Sequence, residues 1–106
     1  MADYVLSVRA VRNGAFVADV GPSKFLGVPP GQAPAPAQAI TPAAWYQAVR
    51  AAAAWQNAQG EARGDLLFLV HGYNLSAVEV LQRHRRLQED LSALGFRGVV
   101  VSFDWP

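Results

Sequence analysis

The sequence predicts an α/β fold built on parallel strands, and three observations carry that expectation. Asp65 to Val70 and Gly98 to Phe103 are continuous apolar runs punctuated by glycine. An amphipathic, well-capped helical segment lies between them. An alternating segment near the amino terminus turns back on itself at Asn13-Gly14.

The first element alternates. Tyr4, Leu6, Val8 and Ala10 share one strand face, with Val5, Ser7, Arg9 and Val11 on the other. Asn-Gly is the dipeptide best able to take positive φ at both turn positions, so Ala15 to Val20 reads as the return strand of a hairpin over residues 4–20. Both strands carry apolar groups on both faces, which predicts packing into a larger sheet. Residues 21–39 hold Gly21-Pro22, Gly27, Pro29-Pro30-Gly31 and Ala33-Pro-Ala-Pro-Ala. Proline removes backbone donors and glycine costs entropy, so this stretch is expected to be a Pro/Gly/Ala-rich loop, either a connector or a lid.

Thr41-Pro42 predicts a helix start, with Thr as N-cap and Pro in the first turn. Trp45, Ala48, Val49, Ala52 and Trp55 then fall on one stripe, and Gly60 and Gly64 are expected to end the helix. Leu66 to Val70 lacks alternation, which fits a strand buried on both faces. After the turn His71-Gly72-Tyr73-Asn74, Ser76 and Glu79 form a capping box. Ala77, Val80, Leu81, His84, Leu87, Leu91 and Leu94 make the buried stripe, and Gly95 is placed for a left-handed C-cap. His84 reads as a satisfied core histidine, and Arg83 to Arg86 as a solvated basic run. Strand, helix and strand together form a βαβ unit.

Composition bounds the function. The chain has 106 residues, enough for one domain, with 52% hydrophobic and 16% charged residues. A net charge of +1 is too small a basic excess for a nucleic-acid partner. The lack of cysteine excludes disulfides, thiolate metal sites and a cysteine nucleophile. His71 and His84 have no carboxylate at zincin-like spacing, so no metal is expected, and no nucleotide loop is present. No apolar run approaches the ~20 residues of a membrane span. Met-Ala-Asp-Tyr has no signal-peptide character, so a cytoplasmic chain is the expectation.

Two strand tips could carry chemistry, because ligands in open α/β sheets bind at the carboxyl ends of parallel strands. These are His71-Gly72-Tyr73-Asn74 and Asp104-Trp105-Pro106. Leu-Phe-Leu-Val-His71-Gly72-Tyr73-Asn74, the helix after it, and Val-Val-Val-Ser-Phe-Asp104-Trp105-Pro106 resemble the third strand, first helix and fourth strand of an α/β-hydrolase. More narrowly, they resemble a bacterial subgroup of mostly uncharacterised hydrolases with strand-HGYN and strand-WP signatures. The resemblance covers about residues 65–106. It implies the N-terminal part of such a fold: an antiparallel hairpin, an inserted helix, then a parallel βαβ unit. It implies a serine hydrolase acting on a small-molecule ester without a cofactor, with the Tyr73 backbone N–H in the oxyanion hole. Gly72 and Asn74 would shape that turn, and the Tyr73 ring would line the pocket.

His71 and Asp104 are further pocket candidates. Each has a structural alternative: His71 as a brace for the turn, Asp104 as a turn former or the partner of a nearby arginine. No serine here lies in a G-x-S-x-G context, so the nucleophile segment is expected outside these residues. In the resembled fold the fourth strand lies between the second and third, which leaves Leu66–Val70 as an open edge. Its expected partner is the remainder of the hydrolase domain or a second copy. The alternative of a different class is a non-catalytic interaction module that binds through that edge or the Pro-rich loop. A third reading uses the helix N-terminus at Ser76 for phosphate.

Overall fold

Asn13 and Gly14 both take positive φ, 54° and 76°, and close a tight hairpin. In the computed structural model, which describes residues 1–106, that hairpin joins β1 (Asp3–Arg12) to β2 (Ala15–Val28). A 3-10 turn at Pro36–Gln38 leads to β3 (Ala39–Ile40), α1 (Pro42–Ala53), β4 (Ala54–Gln56) and β5 (Ala62–Gly64). The chain then runs through β6 (Leu66–Val70), α2 (Ala77–Ala93) and β7 (Val99–Asp104). Five strands form one mixed sheet in the order β3-β2-β1-β7-β6, and β4 with β5 forms a separate ribbon. The architecture is α/β, with β1, β7 and β6 parallel to one another.

The register assigns the faces. Val5 pairs with Leu26 and with Ser102, so these residues share a face. There Val5, Leu26 and Val28 pack with Leu81 of α2. On the opposite face Trp45, Val49 and Ala53 of α1 pack on Val99 and Val101, with Tyr4 and Phe25 alongside. The two helices therefore enclose the middle of the sheet from opposite sides. Thr41 caps α1 by accepting the Ala44 N–H at 3.1 Å. The Trp45 indole N–H donates to the Leu26 carbonyl at 3.0 Å, fixing α1 to β2. No helix is long and apolar enough to cross a membrane.

Four expectations about the strands and the end of α1 are corrected. First, β2 continues through Val28, so strand replaces the first part of the expected 21–39 loop. Ser7 pairs with Lys24 and Arg9 with Val20, which makes a bulge containing Gly21 and Pro22. A bulge spares proline its missing ladder donor. Gly21 is required there because a Cβ would lie 2.6 Å from the Ala10 Cα. Second, α1 ends at Ala53. Trp55 leaves the helical stripe, pairs with Arg63 in the β4–β5 ribbon and donates its indole N–H to Asp65 at 3.0 Å. The Asn57 side chain accepts the Gln59 and Glu61 N–H groups and sets that ribbon's turn.

Third, β7 lies between β1 and β6, not beside the second strand of the hairpin. The outer side of β2 is occupied by β3, and the β1 register brings Ser7 opposite Asp104. Fourth, β6 is not buried on both faces. It forms the sheet's edge, outside the cover of the two helices, and Leu66, Leu67, Phe68 and Val70 are exposed.

On α2 the capping box forms as expected. Gly95, at φ 96°, takes the left-handed position. The Phe96 and Gly95 N–H groups then donate to the Leu91 and Ser92 carbonyls at 2.9 and 3.1 Å. Val80, Leu81 and His84 are buried, but Leu94 becomes the exposed C-cap and leaves the expected stripe. The basic run is not wholly solvated. Arg85 pairs with Asp3 at 2.8 Å and donates to the Gln32 carbonyl at 2.8 Å, binding the loop to α2.

Candidate functional site

The carboxyl ends of β6 and β7 meet the approach to α2, and a buried polar cluster fills the junction. Alternation on β1 sends Ser7 and Arg9 to the α2 side, where both are buried. The Arg9 Nε donates to Asp104 Oδ1 at 2.8 Å, and both side chains are almost wholly shielded from solvent. The remaining Arg9 N–H groups reach the Trp105 carbonyl at 3.0 Å and the Leu75 carbonyl. Ser7 Oγ donates to Asp104 Oδ2 at 3.4 Å. One guanidinium thus joins β1, the end of β7 and the residue that precedes the α2 cap.

His71 completes the junction. Its ring stacks on Trp105 with centroids 4.9 Å apart and an interplanar angle of 11°. Nδ1 meets the Gly72 carbonyl, and Nε2 lies 2.8 Å from the Trp105 carbonyl, to which it donates when it carries a proton, and 3.1 Å from the Trp105 backbone N–H, which it accepts when it does not. The Trp105 indole returns a bond to the His71 carbonyl at 3.1 Å. Asp104 Oδ1 stands 3.5 Å from Nε2. His71 and Asp104 therefore sit beneath the turn and hold it, where sequence left pocket and brace both open.

Above this brace the turn faces solvent. Tyr73 is 86% exposed, and a Cβ built at Gly72 meets nothing within 4 Å. Asn74 takes φ 64°, as expected of a turn residue with a short polar side chain. The Tyr73 N–H donates to no group of the chain. The neighbouring helix terminus differs. Ser76 Oγ accepts the Glu79 N–H, and the Glu79 carboxylate accepts the Ser76 N–H, both at 3.2 Å. Those bonds, the backbone one foremost, hold the Glu79 carboxyl below its ordinary range. A capped terminus already carrying a carboxylate disfavours the phosphate reading.

No family model, curated protein or solved structure matches this chain. The site is therefore argued from its own geometry.

A second constellation resembles a catalytic triad in composition. His84 Nδ1 lies 2.7 Å from Ser102 Oγ, and Nε2 lies 3.6 Å from Asp3 Oδ1. Burial lowers the His84 pKa, Asp3 acts against that shift, and Arg85 adds to it. Ser102 is fully buried at the centre of the sheet, so no substrate reaches its hydroxyl. The arrangement satisfies polar groups inside the core, as expected of a core histidine. No three His, Asp or Glu side chains stand close enough together to hold a metal ion.

Sequence reasoning missed Arg9 and Ser7. The available signal was the interruption of an otherwise apolar strand face by both residues, on an element bound for a sheet interior. A cation there needs an acid from a neighbouring strand, and Asp104 supplies it.

Proposed function

We propose that this α/β unit supplies the oxyanion-binding turn of a serine-hydrolase-type site, with the Tyr73 backbone N–H as donor. The observation that carries the reading is that unpaired N–H. It sits at the carboxyl end of β6, on a turn braced from below and beside an unpaired strand edge. Oxyanion stabilisation needs donors that do not reorganise as charge develops. The Arg9–Asp104–His71–Trp105 cluster provides that rigidity. Gly72 leaves room for a substrate or an approaching backbone, Asn74 turns the chain toward α2, and the Tyr73 ring flanks the pocket. The substrate class is a small carboxylic ester, and no cofactor takes part.

The nucleophile comes from a G-x-S-x-G segment carried by a strand added at β6, because none of this chain's serines has that context. The serine hydroxyl gives its proton to the histidine that the resembled fold carries after the nucleophile and attacks the ester carbonyl, and that proton passes on to the leaving alcohol. The carbonyl oxygen takes the negative charge and accepts two hydrogen bonds, one from the Tyr73 N–H and one from the N–H of the residue after the nucleophile. The alcohol leaves as the acyl-enzyme forms, and water releases the acid.

Turnover of p-nitrophenyl esters by the full natural polypeptide, with its partner subunit where it has one, tests this. Tyr73→Pro removes the N–H and is expected to lower kcat by about 10²–10³-fold. Tyr73→Ala keeps the N–H and is expected to retain kcat. Equal losses in both variants, or turnover that survives loss of every serine, overturn the reading. A second reading, a non-catalytic strand-addition module, is favoured by the exposed apolar side chains of β6. It predicts strand binding with no ester turnover.

A further inference from the structure

We infer that the β6 edge selects an extended strand bearing a carboxylate two residues before its first apolar residue, and that Arg50 and Arg63 read that carboxylate. The inference rests on strand addition at β6 and not on the chemistry at Tyr73. A cavity of about 260 Å³ opens at the amino-terminal end of β6, lined by Arg50, Ala53, Ala54, Arg63, Gly64 and Leu66. Leu66 belongs both to the cavity and to the exposed edge, so the two are continuous.

Both arginines are free to bind. The ion pairs made by arginine in this chain use Arg9, Arg12, Arg85 and Arg86. Of the two acids nearest in sequence, Glu61 accepts the Asn57 side-chain N–H at 2.9 Å and Asp65 accepts the Trp55 indole N–H, while Arg97 lies over that same ring at 4.8 Å. Two guanidiniums around an apolar floor of Ala53, Ala54 and Leu66 present forked donors suited to a carboxylate.

Direction follows from the sheet. β6 runs parallel to β7, and β7 to β1. A strand that extends this parallel arrangement begins at the Leu66 end, where the cavity lies. At about 3.3 Å per residue it places alternate side chains beside Leu66, Phe68 and Val70. The residue two positions before its first apolar one shares that face and falls at the two arginines. The pattern read is therefore acidic residues followed by alternating apolar ones.

Charge argues against a second copy. Two-fold pairing of β6 with β6 is antiparallel and brings residues 70–76 of one chain to the cavity of the other. Val70-His-Gly-Tyr-Asn-Leu-Ser76 contains no acid, so the guanidiniums would meet no carboxylate.

The probe is a fluorescein-labelled octapeptide, two acidic residues followed by alternating threonine and valine, compared with its twin carrying two lysines in place of the acids. Anisotropy is expected to show at least tenfold tighter binding of the acidic peptide, weakening as salt rises. Arg50→Ala with Arg63→Ala is expected to abolish the difference, and circular dichroism checks that this variant folds. Equal binding of the two peptides to the unaltered protein, binding of neither, or dimerisation through β6 in sedimentation overturns the inference. That comparison needs no variant. Loss of peptide selectivity with ester turnover intact refutes this inference alone, and selectivity without turnover refutes only the hydrolase reading.

Discussion

Arg9 carries a positive charge into the interior, and the molecule accepts it because three acceptors converge there, the Asp104 carboxylate and the Trp105 and Leu75 carbonyls. The Ser7 hydroxyl donates to the same carboxylate, and no buried side-chain polar atom is left without a partner. A buried pair adds little over a packed apolar pair, but removing one member leaves an uncompensated charge. Asp104→Asn is therefore expected to cost roughly 3–5 kcal/mol in urea unfolding. Replacing both residues together, Arg9→Met with Asp104→Leu, is expected to recover most of that loss. A mild single variant would show that Arg9 finds another acid or solvent. Gly72 gives the opposite expectation. No atom of the chain occupies the space of its Cβ, so Gly72→Ala should change stability by under about 0.5 kcal/mol. Under the proposed hydrolase function, with a substrate or backbone approaching that face, the same variant is expected to lower ester turnover. At this scale His71, Asp104 and Asn74 were legible as strand-tip and turn residues. Arg9 was not, because local alternation does not reveal which strand face will be dry.

Among the elements, α2 was the most legible and β2 the least. Capping box, apolar spacing and C-cap glycine all agree on α2, so local preference and tertiary packing coincide. In β2, proline and glycine signalled a loop, and pairing with β1 overrode them through a bulge. The end of α1 was misplaced for a similar reason. An alanine run could continue the helix, but Trp55 gains a strand partner, the Asp65 carboxylate and the Arg97 guanidinium by leaving it. The buried histidine of α2 has a measurable consequence. Burial holds the folded His84 pKa below its ordinary value of 6.5. The unfolded chain therefore binds the proton more readily. Stability is full above about 6.5 and declines as pH falls from there toward the lowered folded value. Urea midpoints measured from pH 7.5 to 6 are expected to fall, and His84→Gln, which keeps a polar partner for Ser102, is expected to flatten that slope. An unchanged slope would place the pH dependence elsewhere.

As a whole, the molecule is more open than its length requires. Its radius of gyration is 14.2 Å, against about 13 Å for a compact chain of this size. Its surface is 6314 Å², some 500 Å² above the roughly 5800 Å² expected for this mass. The strand order of the resembled fold anticipated the open edge at Leu66–Val70. Sequence could not foresee which hairpin strand β7 would join, because that depends on Arg9 meeting Asp104 across 95 residues. The two helices cover β1 and β7 and leave β6 outside, with Phe68 57% and Val70 63% exposed. Side chains this exposed contribute little to holding the chain folded, so their apolar character serves something other than this chain's own core. Phe68→Lys with Val70→Lys is therefore expected to leave the thermal midpoint within a few degrees of the parent. The same pair should reduce binding of an apolar-surface dye to the native protein and abolish binding of the acidic-apolar octapeptide. A large fall in midpoint would mean that β6 is packed against the chain's own residues and that no strand is needed there.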